Sequence, residues 1–485
     1  MAAYVLRHAQ ALRDKPALEV ISEEGVTSWT YGDIGAQVQI TAQGFLASGL
    51  APGQTLLMRL GNRLEFPIAY LAALWVGIIP VPSSAQLTGS EITKLSERLR
   101  PDAILAEPGI ALPDTCTARV ISLEEMRDFK NTDPIAPQMG DPNRHGYTIF
   151  TSGSSGAPQG VRHAHRAIWA RQMMHEGWYG MTRDDRVLHA GAFNWTYTLG
   201  TGLMDPWSLG ATALIPAPGT TPDRLAAIIA AQAVTIFAAA PGVYRQMLKT
   251  PLPAMPALRH GLSAGEALLP SLRSIWNSQT GTDLHEALGM SECSTFISGS
   301  PKKPAPESGS GWPQSGRRIA VLDENGAPVP YGTSGLLAVS TRDAGLMLGY
   351  LGEPDLTGDW FITGDVVVME KTGAIAYCAR ADDVMTAGGY RIAPGEVEAA
   401  FATLPGLEEV AATQVRIASG ATLIALFYSG ARSDEQKLRA HAQNNLARYK
   451  QPRLYIHIPN LPKGPNGKLN RRTLAASYEA RDGQA

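Results

Sequence analysis

Cysteine is scarce. Cys116, Cys293 and Cys378 are the only three in 485 residues, and they stand far apart. Neither a disulfide framework nor a Cys-x-x-Cys zinc site can be built from them, so a reducing, cytoplasmic compartment is the expected setting. A charge excess of either sign is also missing: 42 Lys and Arg against 44 Asp and Glu leave a formal net charge of -2. No chain-wide basic field exists to draw in nucleic acid or anionic lipid, and neither is expected as a partner. Charged residues make up 18% of the chain, below the roughly 25% usual in soluble proteins. With 44% hydrophobic residues the chain can fill large cores, which excludes extensive disorder. Long uninterrupted apolar runs are absent too. The most apolar stretch, residues 66–82 (FPIAYLAALWVGIIPVP), is short for a membrane span and is broken by Pro67, Gly77, Pro80 and Pro82. It reads as a buried helix running into a buried strand. Arg7, Arg13, Asp14 and Lys15 break up the N-terminal stretch, so no export signal is expected there. The ten histidines have no carboxylate or cysteine partners at ligand spacing, and no histidine metal site is expected.

What is present is regular alternation. Between Ala211 and Met247, ATALI predicts a strand, Thr221 and Pro222 predict a helix start, and Leu225, Ile228 and Ile229 give that helix an apolar face. VTIFA then returns as a strand and Pro241 opens another helix. Such βα repetition predicts a covered, largely parallel sheet. Residues 316–339 differ: IAVLD, the Glu324-Asn325-Gly326 turn, VPYG and GLLAVS predict a β-rich subdomain of short strands. The last hundred residues read as helix, strand, strand, helix, strand, a small α+β domain with a helix-covered sheet. The fold class is therefore α/β: a large N-terminal domain, residues 1–381, followed by a small α+β C-terminal domain, residues 382–485.

The strongest chemical signal is YTIFTSGSSGAPQG, from Tyr147 to Gly160: an apolar strand, then a loop of small residues. Thr151, Ser152, Gly153, Ser154, Ser155 and Gly156 would let backbone N–H groups and hydroxyls approach a polyphosphate closely. The loop does not match the GxxxxGK[ST] nucleotide loop. Further segments follow in order: SAGEAL from Ser263, LGMSE from Leu288, FITGD from Phe361, ARADDVMTAGGYRIAPGEVE from Ala379, and PKGPNGKLNRR from Pro462.

In composition, order and approximate spacing these six segments resemble the signatures of the adenylate-forming superfamily, which includes acyl-CoA synthetases, adenylation domains of peptide synthetases and luciferases. The resemblance covers essentially the whole chain. It implies an AMP-forming acyl-CoA ligase that uses ATP, Mg²⁺ and CoA on a small-molecule carboxylic acid, and it leaves a homo-oligomer open. It also implies roles. Glu292 would help hold Mg²⁺, and the Ser291 hydroxyl would approach the α-phosphate. Asp365, at the end of the FIT strand, would accept hydrogen bonds from the ribose hydroxyls, with Arg380 nearby and Arg391 reaching the phosphates. Gly265, Glu266 and Ala267 would wall the adenine. Lys468, after the Pro465-Asn466-Gly467 turn, matches the family's catalytic lysine. Asp382 occupies the hinge position, about which the small domain would swing to present first Lys468 and then Gly388 and Gly389, whose missing side chains would leave room for pantetheine.

Three positions depart from the pattern. Gln159 replaces the phosphate-loop lysine, Leu288 the adenine-stacking tyrosine, and Ala379 a glycine. Weaker ATP affinity, rather than inactivity, is expected. In the segment aligned with the acyl pocket, Asn194–Gly200, Trp195 and Tyr197 are candidate walls, with core packing the alternative. Gly289, where acetate-activating relatives carry tryptophan, suggests room for a longer or aromatic acid. Phe193-Asn194 supplies no aspartate to pair with an α-ammonium, which disfavours an amino-acid substrate. The predicted activity is ligation of a medium-chain or aromatic acid to CoA. Loading of a separate acyl carrier protein, or a nucleotide-binding homologue that has lost catalysis, are the alternatives.

Overall fold

The computed structural model describes the chain except residues 116, 131–134, 152–157, 267, 308, 388–389, 403, 418–421, 464–468 and 483–485. It divides into two compact units. The first holds residues 1–318 and 339–361, the second residues 319–338 and 362–485.

The first unit is built on a nine-stranded sheet. Its order is Trp312–Pro313, Ser294–Ser298, Asp283–Met290, His260–Ala264, Ile236–Ala239, Arg186–His189, Thr212–Pro216, Pro16–Ser22 and Gly25–Thr30. The six strands from Asp283–Met290 to Pro16–Ser22 run parallel, and the outer strands are antiparallel. The alternation around residue 211 is realised as predicted: the strand Thr212–Pro216, the helix Pro222–Ala231 with proline at its first position, the strand Ile236–Ala239 and the helix Pro241–Met247. Both faces of this sheet are buried, one under Trp276, Tyr244 and Leu272, the other under Trp178, Tyr179 and Tyr197. Full burial on both sides explains why its central strands read as continuous apolar runs instead of alternating.

A second parallel sheet, in the order Ile79–Pro82, Thr55–Arg59, Ala103–Ala106 and Arg119–Ser122, flanks the helix Glu65–Trp75. The apolar stretch at 66–82 is thus the predicted buried helix followed by a strand. Among the described residues no helix is long and apolar enough to cross a membrane. A third, antiparallel sheet joins His145–Thr151, Gln159–Ala164 and Gly349–Tyr350.

In the second unit a four-stranded sheet runs in the order Ile319–Leu322, Ser334–Ser340, Trp360–Met369 and Ile375–Arg380, the β-rich region expected from its turns. Asp323 closes the first turn by accepting from the N–H groups of Asn325 and Ala327 at 2.9 and 2.8 Å. A three-stranded sheet follows, formed by Leu407–Arg416, Thr422–Gly430 and Leu454–His457. One face carries the helices Pro394–Phe401 and Glu435–Asn445, through Val397, Phe401, Leu438 and Ala442. The other face is covered by the helix Arg471–Asp482, through the buried Leu474. Among its described residues that last helix packs through Leu474, Ala475 and Tyr478, too few to announce it in the sequence.

Candidate active site

The hairpin between His145–Thr151 and Gln159–Ala164 carries the Gly/Ser-rich loop. Thr151 pairs with Gln159 at its mouth, and residues 152–157, including Ser152, Gly153, Ser154, Ser155 and Gly156, lie outside the described residues. The same sheet reaches Glu292 through Tyr350. Tyr350, paired with Val161 beside the hairpin, donates its hydroxyl hydrogen bond to Glu292 Oε1 at 3.0 Å.

Ser291 and Glu292 occupy the turn between Asp283–Met290 and Ser294–Ser298, and that turn is held from several sides. The fully buried Arg317 pairs with Asp343 at 3.0 Å and donates to the carbonyls of Cys293 and Thr295 at 3.0 and 2.9 Å. Arg171 donates to Ser294 Oγ at 3.0 Å, and the Met347 N–H to the Glu292 carbonyl at 2.7 Å. His163 Nε2 lies 2.7 Å from the Ser291 carbonyl. A carbonyl only accepts, so Nε2 carries the proton. Burial pushes the His163 pKa down to about 4, which keeps the ring neutral, and it stacks on Tyr147 at 4.8 Å. The sequence gives no sign of the parts played by Arg171, Arg317 and Tyr350. Arg171 itself forms a buried pair with Asp205, whose carboxylate also accepts from Tyr179 Oη at 2.6 Å. Gly200 makes this possible, since a Cβ there would lie 1.8 Å from the Arg171 guanidinium.

The sheet's carboxyl edge carries the next group, the place where open parallel sheets take ligands. Gly265 follows the His260–Ala264 strand with φ +97°, a left-handed conformation suited to glycine, and Trp195 packs so closely on it that a Cβ would meet the indole at 2.8 Å. Glu266 pairs with Arg245 at 3.4 Å, while Ala267 lies outside the described residues. Glu286, on the adjacent strand, accepts from the Leu268 N–H at 2.8 Å, and burial pushes its carboxyl up to about 7. Trp195 meets Tyr197 edge-on at 5.2 Å, and Tyr197 donates its hydroxyl to the Leu262 carbonyl at 3.0 Å. Tyr197 therefore serves the core and lines the edge at once.

Leu288 pairs with Ile297 in the strand register, just before a bulge at Leu288 and Gly289. At Gly289 a Cβ would run into the Ser294 carbonyl and Thr295 Cα, both at 2.6 Å. Close packing of the backbone at this bulge is therefore a second reason for glycine here, beside the acyl-pocket room expected from the sequence.

In the second unit Asp365 and Arg380 face each other across paired strands and form an ion pair at 3.0 Å, with Arg380 also donating to the Thr363 carbonyl. Asp365 does not end its strand, as expected from FITGD; Val366, Val367, Val368 and Met369 carry the strand onward, and the carboxylate is buried in mid-strand. Asp382 sits in the short 3₁₀ turn Ala381–Asp383, 3.5 Å from Arg472, while Arg471 reaches Asp383 and Glu398 at 3.6 and 2.6 Å. Arg391 lies in the strand Tyr390–Ile392, its backbone paired with Thr386. Gly388, Gly389 and Lys468 lie outside the described residues.

Among the described residues no group of three or more His, Cys, Asp or Glu gathers to hold a metal ion. Glu292 beside the phosphate-loop hairpin fits Mg²⁺ in the way that ion is commonly held: by one carboxylate with substrate phosphates and water, not by an all-protein cage.

Two family models divide the chain. "AMP-binding enzyme" matches residues 5–351, and "AMP-binding enzyme C-terminal domain" matches residues 396–468. The chain belongs to the AMP-binding enzyme family. Among curated relatives, a benzoate–CoA ligase from Thauera aromatica is 27% identical over 486 residues, covering 93% of this chain and 91% of that protein. The human mitochondrial acyl-coenzyme A synthetase ACSM2A is 26% identical over 500 residues, covering 95% and 86%. Among solved structures, a benzoate CoA ligase from Burkholderia xenovorans LB400 superposes with a TM-score of 0.87 at 25% identity, covering 98% of this chain and 99% of that one. ATP-bound MatB from Rhodopseudomonas palustris does so with 0.90 at 22% identity, covering 99% of each.

Proposed function

We propose that this chain, an AMP-forming acid–thiol ligase of the AMP-binding enzyme family, joins a medium-chain or aromatic carboxylic acid to CoA in a reducing, cytoplasmic compartment. The observation that carries the reading is the bridge from Tyr350 to Glu292, which sets an acidic oxygen donor beside the hairpin of a Gly/Ser-rich loop. A loop that cradles phosphates needs such a donor at its flank, and the named relatives, which include benzoate–CoA ligase and acyl-CoA synthetases, supply the class of acid.

In the first half-reaction a carboxylate oxygen attacks the α-phosphorus of ATP and pyrophosphate leaves, giving an acyl-adenylate. Residues 151–156 cradle the phosphates, Ser291 approaches the α-phosphate and Glu292 holds Mg²⁺, which when bound neutralises phosphate charge. Asp365 accepts from the ribose hydroxyls with Arg380 beside it, Gly265 to Ala267 and Leu288 border the adenine, and Arg391 and Lys468 meet the developing negative charge. In the second half-reaction the CoA sulfur attacks the acyl carbonyl and AMP leaves with the bonding electrons. We assign Asp382 as the hinge between domains 1–381 and 382–485, and Gly388 and Gly389 as the pantetheine passage. Trp195 and Tyr197 wall the acid.

Acid-dependent exchange of labelled pyrophosphate into ATP, run over a panel of carboxylic acids and repeated with CoA, tests this reading. Exchange followed by thioester formation is expected. Exchange without thioester would point to carrier loading, and no exchange with any acid would point to a binder that has lost catalysis.

A further inference from the structure

Two buried polar atoms near Trp195 and Tyr197 have no hydrogen-bond partner among the described residues, and they are neighbours. His189 ends the strand Arg186–His189 at the carboxyl edge of the nine-stranded sheet, fully buried. Its Nδ1 accepts from the Gly191 N–H at 3.0 Å, so in the neutral ring the proton sits on Nε2. Burial holds the ring neutral by pushing its pKa down to about 3, with no charged side chain contributing to the shift. That Nε2–H meets no acceptor, and the buried hydroxyl of Thr198 has no partner either.

The two side chains converge on Gly191. The point a Cβ there would occupy lies 2.1 Å from Thr198 Oγ1 and 3.1 Å from His189 Cε1, so a side chain at 191 would clash with the threonine hydroxyl and only glycine fits between them. Gly202 packs against His189 from another side, where a Cβ would stand 2.8 Å from that of the histidine. A continuous ring wall leads there from the sheet edge. Trp195 lies on Gly265, meets Tyr197 at 5.2 Å, and Tyr197 meets His189 edge-on at 4.4 Å. An apolar wall ending in an unpaired donor and an unpaired hydroxyl is a selective arrangement, because a buried polar group left without a partner penalises any ligand that does not supply one.

Resting on the ligase reading above, we propose that His189 and Thr198 are specificity residues that select an acid bearing a neutral hydrogen-bonding substituent away from its carboxylate, a hydroxyl being the best match. The substituent oxygen accepts from His189 Nε2–H and pairs with the Thr198 hydroxyl, which both donates and accepts. A second carboxylate is a poor match, since the neutral ring brings no cation to a buried anion.

The test compares kcat/KM, with ATP, Mg²⁺ and CoA, for benzoate against 2-, 3- and 4-hydroxybenzoate and for hexanoate against 6-hydroxyhexanoate. The full chain is measured beside Thr198→Val, Thr198→Ser and His189→Phe. The wild type is expected to prefer at least one hydroxylated acid over its parent by about tenfold or more, the scale of one buried hydrogen bond. Thr198→Val, which keeps the shape, and His189→Phe should each bring that ratio toward one, and Thr198→Ser should retain it. Should His189→Phe fail to fold, the two Thr198 variants decide the matter. No preference in the wild type, or a preference untouched in Thr198→Val, overturns the inference, and in that case the two polar atoms only bind buried water. Such a result, with activity intact, leaves the ligase reading standing; absence of activity with every acid removes both.

Discussion

Tyr350 donates a hydrogen bond to Glu292 at 3.0 Å, tying the strand beside the Gly/Ser-rich hairpin to the turn that carries the candidate Mg²⁺ ligand. The two residues are 58 apart in sequence and come from different sheets of the first unit. One contact thus joins the hairpin and the turn that we propose bind the phosphates.

Tyr350→Phe removes that contact without changing the packing of the ring. The protein should fold normally and lose about tenfold in kcat/KM for ATP, with a higher Mg²⁺ concentration at half-maximal rate, corresponding to roughly 1.5 kcal/mol, the lower end for one hydrogen bond to a charged acceptor. Pyrophosphate exchange titrated with Mg²⁺ reads it. An unchanged Mg²⁺ dependence would detach Tyr350 from the metal site.

Arg317→Ala addresses the support of the same turn. Arg317 and Asp343 both have fully buried side chains, and the substitution strands the aspartate along with the carbonyls of Cys293 and Thr295. Loss of one partner of a buried pair costs on the order of 3–5 kcal/mol. Chemical denaturation should show a loss of that size, whereas a change below about 1 kcal/mol, as for an exposed pair, would contradict the burial.

The pH dependence of stability carries a signature of His163. Its folded pKa is about 4, held down by burial, against an unfolded value near 6.5. Between those values the unfolded chain binds the extra proton, so this group's contribution is full above about pH 6.5 and is lost as pH falls toward 4. Glu286, raised to about 7 by burial, acts with the opposite sign, since its folded state binds the extra proton below that pH. The comparison is therefore between parent and His163→Asn: the variant should lose about 1.4 kcal/mol per pH unit of slope within this window. Equal slopes in denaturation series from pH 4.5 to 6.5 would place the ring in water.

Lys468→Ala separates the half-reactions. Adenylation should fall by a factor of about 100 or more, near 3 kcal/mol of electrostatic stabilisation, while conversion of supplied acyl-adenylate to thioester persists. Equal losses in both halves, in single-turnover assays, would contradict the alternation of domains about Asp382.

Much of the fold was legible because its signals are local. Pro222 and Pro241 open helices, and β-branched runs such as VTIFA mark strands buried on both faces. The site's supports were not legible, because each depends on a distant partner. Arg171 becomes a fully buried cation only through Asp205, and Arg317 only through Asp343. In sequence each is one more arginine. His163 closely follows the loop in sequence, yet its task depends on the Ser291 carbonyl, 128 residues away. Gly289 shows the same limit from the other side: the sequence offered room for the acid as its reason, and the crowding by the backbone of Ser294 and Thr295 is visible only in the fold. The unpaired atoms of His189 and Thr198 had no signal at all, since absence of a partner is a property of the folded state alone.

The most direct test of the central claim is the stoichiometry of products formed from ATP, CoA and an active acid by the purified chain. AMP, pyrophosphate and acyl-CoA are expected in equal amounts, with Glu292→Gln suppressing all three together. Formation of ADP and phosphate, or AMP without thioester, would contradict it.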